Sequence, residues 1–278
     1  MTVADVGDES RPSGDGPAAV GVGGGSWRVV AGQECRDLWV GGRAPVLLVA
    51  LSVLLSLVTY LAATNQALNF LEQREAVNLA LQIAVVVGVL VTLVTGAESI
   101  SGERDRGTLE GLLLTPVSRR AIVAGKLAAA LSLWFGTYLV SVPYVWVLGR
   151  GVSIAGQALL LGLLVGTLLA VALAVLGLLI SAVSGSSRMS VSLSLFLLIA
   201  LFAPTQLPAE PQGWFGAVLD RVNPVDAAMH YVTTVLVDGH DWTVHLSYLA
   251  SPVLVAAGTT GALLAAGSRV VRLRPGVT

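Results

Sequence analysis

The sequence predicts an all-α membrane protein: six transmembrane helices, an interfacial helix ahead of them, a short cytoplasmic helix between the second and third spans, and short outer helices before the last span. Three observations predict it. Of the 278 residues 55% are hydrophobic and only 12% charged, where a soluble domain carries about 25%. Mean hydropathy is +0.81. The apolar residues fall into six runs, 45–64, 77–97, 127–148, 157–183, 189–207 and 246–267, and none of the runs contains Asp, Glu, Lys or Arg. A bilayer core about 30 Å thick needs roughly 20 such residues in a helix.

Residues 1–25 are rich in Gly, Asp and Pro without an apolar run. They lack the cationic start and apolar core of a signal peptide and read as a disordered cytoplasmic tail. Over 26–43, Trp27, Val30, Ala31, Cys35, Leu38 and Trp39 recur at helical spacing, with Arg28, Arg36 and Asp37 elsewhere on the wheel. That pattern suits an amphipathic helix in the membrane interface, with Trp at headgroup depth. Cys35 is the single cysteine, so it forms no intrachain disulfide and serves as a small apolar residue. Gly41 and Gly42 end this helix, and the transmembrane domain follows from 45 to 267, with a second cytoplasmic tail at 268–278.

Within the spans, Gly162 and Gly166, Ala170 and Ala174, and Gly177 and Ser181 repeat at helix-packing intervals. Such rows let helix backbones approach in lipid, either within one subunit or at a dimer seam. Pro143 and Pro252 remove backbone donors and are expected to kink the third and sixth spans. On the outer side, Trp214, Phe215, Val218, Leu219 and Val222 have helical spacing, and Asn223, Pro224 and Asp226 read as a cap, a first-turn proline and an acid at a helix start. Two short helices resting at the outer interface are expected there.

An even number of spans leaves both termini on one side. With the termini in the cytoplasm, thirteen of the sixteen Lys and Arg residues fall inside, and only Arg74, Arg150 and Arg221 fall outside. The chain therefore reads as a multi-pass cell-membrane protein with cytoplasmic termini. A net charge of −1 excludes a basic nucleic-acid binder.

The stretch from Glu98 to Lys126 carries nine charged residues, Glu98, Glu103, Arg104, Asp105, Arg106, Glu110, Arg119, Arg120 and Lys126. It is expected to lie in water between two membrane-buried segments. Gly107 and Thr108 can start a short helix that puts Leu109, Leu112 and Leu113 on one face, with Glu110 off it. Thr115 and Pro116 stop it before another helix begins near Ser118. The apolar face is free for a protein groove or for lipid. The run ERDRGTLEGLLLTPVSRRAIVAGK, placed after a second span and before a third, resembles the signature of type-2 permeases, the membrane subunits of ATP-binding-cassette transporters; it is most similar to the permeases grouped with multicopper-enzyme maturation. The residues that carry the likeness are Gly107, Thr108, Leu109, Glu110, Leu113, Pro116, Ser118, Arg119, Gly125 and Lys126.

That resemblance implies that residues 108–114 form a coupling helix seated on a separate ATP-binding subunit, with Glu103, Arg106, Gly107, Thr108, Leu109, Glu110, Leu112, Leu113, Pro116 and Arg119 at the contact. It also implies a second permease subunit, identical or not, enclosing one translocation path, and export as the usual direction. ATP and Mg belong to the partner. The residues agree: the spans hold no ionisable group of the kind that gradient-driven transporters keep. The chain also has no P-loop, since Arg120 replaces the first glycine before Gly125 and Lys126, and Leu127 the Ser or Thr.

The polar residues inside the spans, Gln82, Thr92, Thr137, Tyr138, Ser194 and Tyr248, are the pathway candidates, and hydrogen bonding between helices is their plainer role. Uncharged walls suit an amphipathic cargo better than a small ion. Glu98, Glu103, Asp105 and Glu110 interleave with Arg104 and Arg106, as a solvated or partner-facing surface does. His230, His240 and His245 lack a metal-ligand spacing, so no metal site is expected. An intramembrane enzyme would need catalytic groups at membrane depth, and no His-Glu-x-x-His run or intramembrane acid is present. A membrane scaffold that recruits a cytoplasmic protein is the remaining alternative.

Overall fold

The computed structural model describes residues 26–64, 70–108, 117–203 and 221–270, which are helical almost throughout, with no strand among them. In chain order they form α1 (Ser26–Val40), α2 (Arg43–Thr64), α3 (Phe70–Asp105), α4 (Arg119–Gly149), α5 (Ala155–Val183), α6 (Ser187–Phe202), α7 (Pro224–Leu236) and α8 (Ala250–Val270), with short 3-10 segments at Arg150–Val152 and Leu246–Leu249. Five of these helices, α2, α3, α4, α5 and α8, are long and apolar enough to cross a membrane. The fifth expected span corresponds to α6, which is apolar but has 16 residues; positions 204–207 of that stretch lie outside the described residues.

The helices outrun the apolar runs that predicted them. At 36 residues, α3 rises about 54 Å against a hydrocarbon core of about 30 Å. Hydropathy stops at Glu98, but Glu, Ser and Arg continue a helix well enough. What ends α3 is Gly107, whose φ of +70° closes a Schellman turn. The Gly107 N–H donates to Arg104 O at 3.1 Å and the Thr108 N–H to Glu103 O at 3.0 Å. Gly107 and Thr108 thus terminate α3; the helix expected to start from them falls on residues 109–116, outside the described ones.

The two caps hold as read. Ser118 caps α4 by accepting from the Ala121 N–H at 3.2 Å. Asn223 caps α7 by accepting from Val225 and Asp226, with Pro224 in the first turn. Pro143 sits inside an unbroken α4. Pro252, against expectation, falls in the first turn of α8, where its missing N–H costs no intrahelical bond and calls for no kink.

The centre of the bundle is the pair α3 and α5, packed backbone to backbone. A Cβ on Gly96 would lie 2.7 Å from Ala174 O, and one on Gly177 would run into Leu93 O. Ala170 and Ala174 are wholly buried, and Gly162 and Gly166 face Leu81 and Trp134 of the same chain. The small-residue row of α5 is therefore a contact within one subunit. Trp134 of α4 is fully buried, and its indole donates to Thr167 Oγ1 at 2.9 Å.

The outer helix α7 departs from expectation. It does not rest on the surface: Val225, Ala228, Tyr231, Val232 and Val235 are buried with their neighbours, and Asn78 of α3 donates to Thr233 Oγ1 at 3.0 Å. Asp226, His230 and Thr233 form one polar strip along it, and the residues on the rest of the wheel are buried and mostly apolar. Burial also raises the Tyr231 phenol above its ordinary pKa. The other outer helix expected, around Trp214 to Val222, lies mostly outside the described residues.

Candidate functional site at the charged end of the bundle

The charged end of α3 is where the other helices meet. Glu98 accepts from Arg43 of α2 at 3.0 Å. Glu103 and Glu34 of α1 both accept from the Lys126 Nζ of α4, each at 2.6 Å. Arg104 donates to Ser184 O, where α5 ends, and Asp105 accepts from the Ser187 N–H, where α6 begins, at 2.7 Å. Five other helices are tied to one helix end of about two turns.

Hydroxyl groups fasten the same region from below. Ser181 of α5 accepts from the Ile100 and Ser101 N–H groups at 3.0 and 2.9 Å, and Ser190 of α6 donates to Ala97 O at 2.7 Å. These bonds tie the α3 backbone to α5 and α6, so a displacement of residues 98–108 is felt across the bundle.

The helix α1 follows α4 in the same direction. Gly125 lies against Val30 and Ala31, Lys126 against Glu34, and Gly136 under the Trp39 ring, whose indole donates to Ser132 Oγ at 3.2 Å. Gly42, at φ +81°, then turns the chain into α2. Between α1, α2, α3 and α4 this leaves a cavity of about 860 Å³, charged at the end near Lys126 and apolar beyond it.

One expectation is corrected here. Lys126 is not a surface charge between two spans, since its side chain is 2% exposed. It sits on the apolar face of α4, with Ile122, Val123, Ala129 and Ala130 buried one turn to either side. An ammonium so placed persists because two carboxylates neutralise it. Glu98 and Glu103 likewise face neighbouring helices. The signal in the sequence was the wheel position of Lys126; its partner Glu34, on a helix distant in sequence, offered none.

Of the expected contact residues, Glu103, Arg106, Gly107 and Thr108 lie together at the end of α3, and Arg119 opens α4. Arg106 folds back to donate its Nε to Gly102 O at 3.0 Å. Leu109, Glu110, Leu112, Leu113 and Pro116 lie outside the described residues.

The expected pathway residues are spread through the bundle. Gln82 donates to Thr233 Oγ1 at 3.3 Å, Thr92 and Thr137 bond to carbonyls of their own helices, and Tyr138 donates to Leu159 O at 2.7 Å. The buried Ser194 Oγ has no protein partner among the described residues. Tyr248 packs on His230 with ring centroids 4.5 Å apart. No three His, Cys, Asp or Glu side chains among the described residues converge as a metal site would require.

A family model described as ABC-2 family transporter protein matches residues 29–271, from the first turn of α1 to the end of α8. None of the curated proteins matches the chain.

Proposed function

The chain belongs to the ABC-2 family of transporter proteins, so it is a multi-pass permease of an ATP-binding-cassette transporter, and we propose that it works as half of a dimeric exporter moved by a separate ATP-binding subunit. The ATPase, carrying ATP and Mg, docks on the segment between Glu103 and Arg119, with Leu109, Leu112 and Leu113 as the apolar face it grips. The observation that carries this reading is the convergence of α1, α2, α4, α5 and α6 on the charged end of α3. A force applied at the adjoining residues reaches all of those helices without crossing a flexible link.

The charge distribution supports placing that end in the cytoplasm of a cell-membrane protein. Arg43, Arg104, Arg106, Arg119, Arg120, Lys126 and Arg188 border it, while Arg74 pairs with Val237 O at the far end. Leu263, near the end of α8, packs with Ile100 and Val123, so both ends of the described chain lie on that side. The polar residues Gln82, Thr92, Thr137, Tyr138, Ser194 and Tyr248 remain candidates to line the path.

The test is cross-linking of single cysteines at 108–114 to the ATP-binding subunit in membrane vesicles, with Leu113→Asp as the disruptive variant. Contact predicts nucleotide-dependent cross-links and loss of ATPase copurification in Leu113→Asp. Cross-links to lipid alone, or a Leu113→Asp protein that still assembles and transports, would refute it.

A further inference from the structure

The cavity beside the α1–α2 turn has a divided lining. Six charged side chains line one end of it, in two groups. Glu34, Glu103 and Lys126 carry two acids and one base, a net −1. Arg43, Glu98 and Arg106 carry two bases and one acid, a net +1. Each group also has capacity to spare. Arg43 spends one nitrogen on Glu98 and Arg106 its Nε on Gly102 O, which leaves guanidinium donors for an anion. On the acid side Glu34 gives one oxygen to Lys126, and Glu103 Oε2 is buried without a donor.

Away from these charges the lining is apolar, from Leu47 of α2 and Leu90 and Val94 of α3 to Leu195 of α6. Val46 and Leu47, on the α2 side, are exposed on the outer surface of the bundle, so this part opens toward the hydrocarbon of a bilayer. The volume, about 860 Å³, lies in the range of sites that enclose a whole small ligand.

We propose that this cavity binds a zwitterionic membrane phospholipid, its phosphate on Arg43 and Arg106, its ammonium toward Glu34 and Glu103, and an acyl chain between α2 and α3. The opposed net charges set the head's direction. A purely anionic head would bring its charge against three carboxylates, and a purely cationic one would leave the guanidinium donors unmet. The apolar wall requires a chain, which a soluble zwitterion lacks. The binding deepens the amphipathic-cargo reading but needs no ATPase contact, so a failed lipid test and a failed coupling test are separate results.

The experiment is native mass spectrometry of the purified full chain, without partner, after exchange into equal mixtures of phosphatidylethanolamine or phosphatidylcholine with phosphatidylglycerol. The expected result is preferential retention of either zwitterionic lipid over phosphatidylglycerol, falling about tenfold in the double variant Arg43→Gln/Arg106→Gln. Leu90→Trp, which fills the apolar part, removes retention of every lipid while the melting midpoint stays close to that of the unaltered chain. Equal retention of phosphatidylglycerol by the unaltered chain would overturn the proposal whatever the variants do, as would retention indifferent to both substitutions in folded protein.

Discussion

Two halves of the bundle are held by different means. The pair α3 and α5 is joined through backbone: Gly96 and Gly177 bring main chain against main chain, and 61% and 56% of their most apolar windows are buried. The flank helix α2 is held by side chains, whereas α1 packs on α4 through Gly125 and Gly136. Only 17% of the corresponding window of α2 is buried, and beside the buried Leu51 and Leu55 its polar fastenings are the Arg43–Glu98 pair and the bonds of Ser52 and Ser56 to Tyr144 at 2.6 and 3.0 Å. Glycine contacts have no alternative partner at another register, whereas ion pairs and hydroxyl bonds can be exchanged for others as helices slide. The difference divides a spine locked by backbone contact from an α2 flank whose polar fastenings can be exchanged. The Lys126 cluster lies between them.

The strongest way to break that division is to remove the ammonium at the boundary. Lys126→Met leaves the Glu34 and Glu103 carboxylates facing one another. It should cost about 3–5 kcal/mol, read as a large drop in thermal midpoint. The triple variant Glu34→Gln/Glu103→Gln/Lys126→Met should recover most of that stability. If the cluster carries motion to α1, ATP-driven transport stays lost in the triple variant; full transport would confine the cluster to a packing role.

A smaller loss is expected in the spine. Gly177→Val drives a side chain into the α3 backbone at Leu93 and Ala97 and should cost about 1–3 kcal/mol, with no rescue from polar substitutions on the flank. A midpoint equal to that of the unaltered chain would mean that α3 and α5 separate more easily than their contact implies. The mildest change is Tyr144→Phe, which removes both hydroxyl bonds to α2. About 0.6 kcal/mol per bond is expected, with accessibility of a cysteine at the buried position 55 rising before any change near Gly177. A larger loss in Tyr144→Phe than in Gly177→Val would reverse the assignment of locked and exchangeable contacts.

Much of this was legible in the residues. The apolar runs located the long helices because lipid exposure demands continuous hydrophobicity, and the caps at Ser118 and Asn223 were visible because they depend on neighbours in sequence. The excess of Lys and Arg at one end could be counted without coordinates. Three things were hidden. The length of α3 was missed because hydropathy measures immersion while a helix stops only at a residue that cannot continue it, here Gly107. The burial of α7 was missed because 13 residues are too few to span, and a short apolar helix looks the same whether covered by lipid or by protein. The Lys126 cluster was missed because a charge beside an apolar run marks its edge unless partners from distant segments are known.

What the amino-acid sequence determined by itself is local: which segments are helical, where several of them begin, which are greasy enough for a bilayer, and a family signature on the link between α3 and α4. Tertiary structure alone decided that the small-residue row of α5 closes on α3 rather than on a second copy, and that Glu34 and Glu103 gather around the buried Lys126 beside an amphipathic cavity. The reason is range. Helix and hydropathy follow from interactions within a few turns, whereas a buried ion pair joins residues 92 positions apart and is stable only once the folded chain has excluded water from around it.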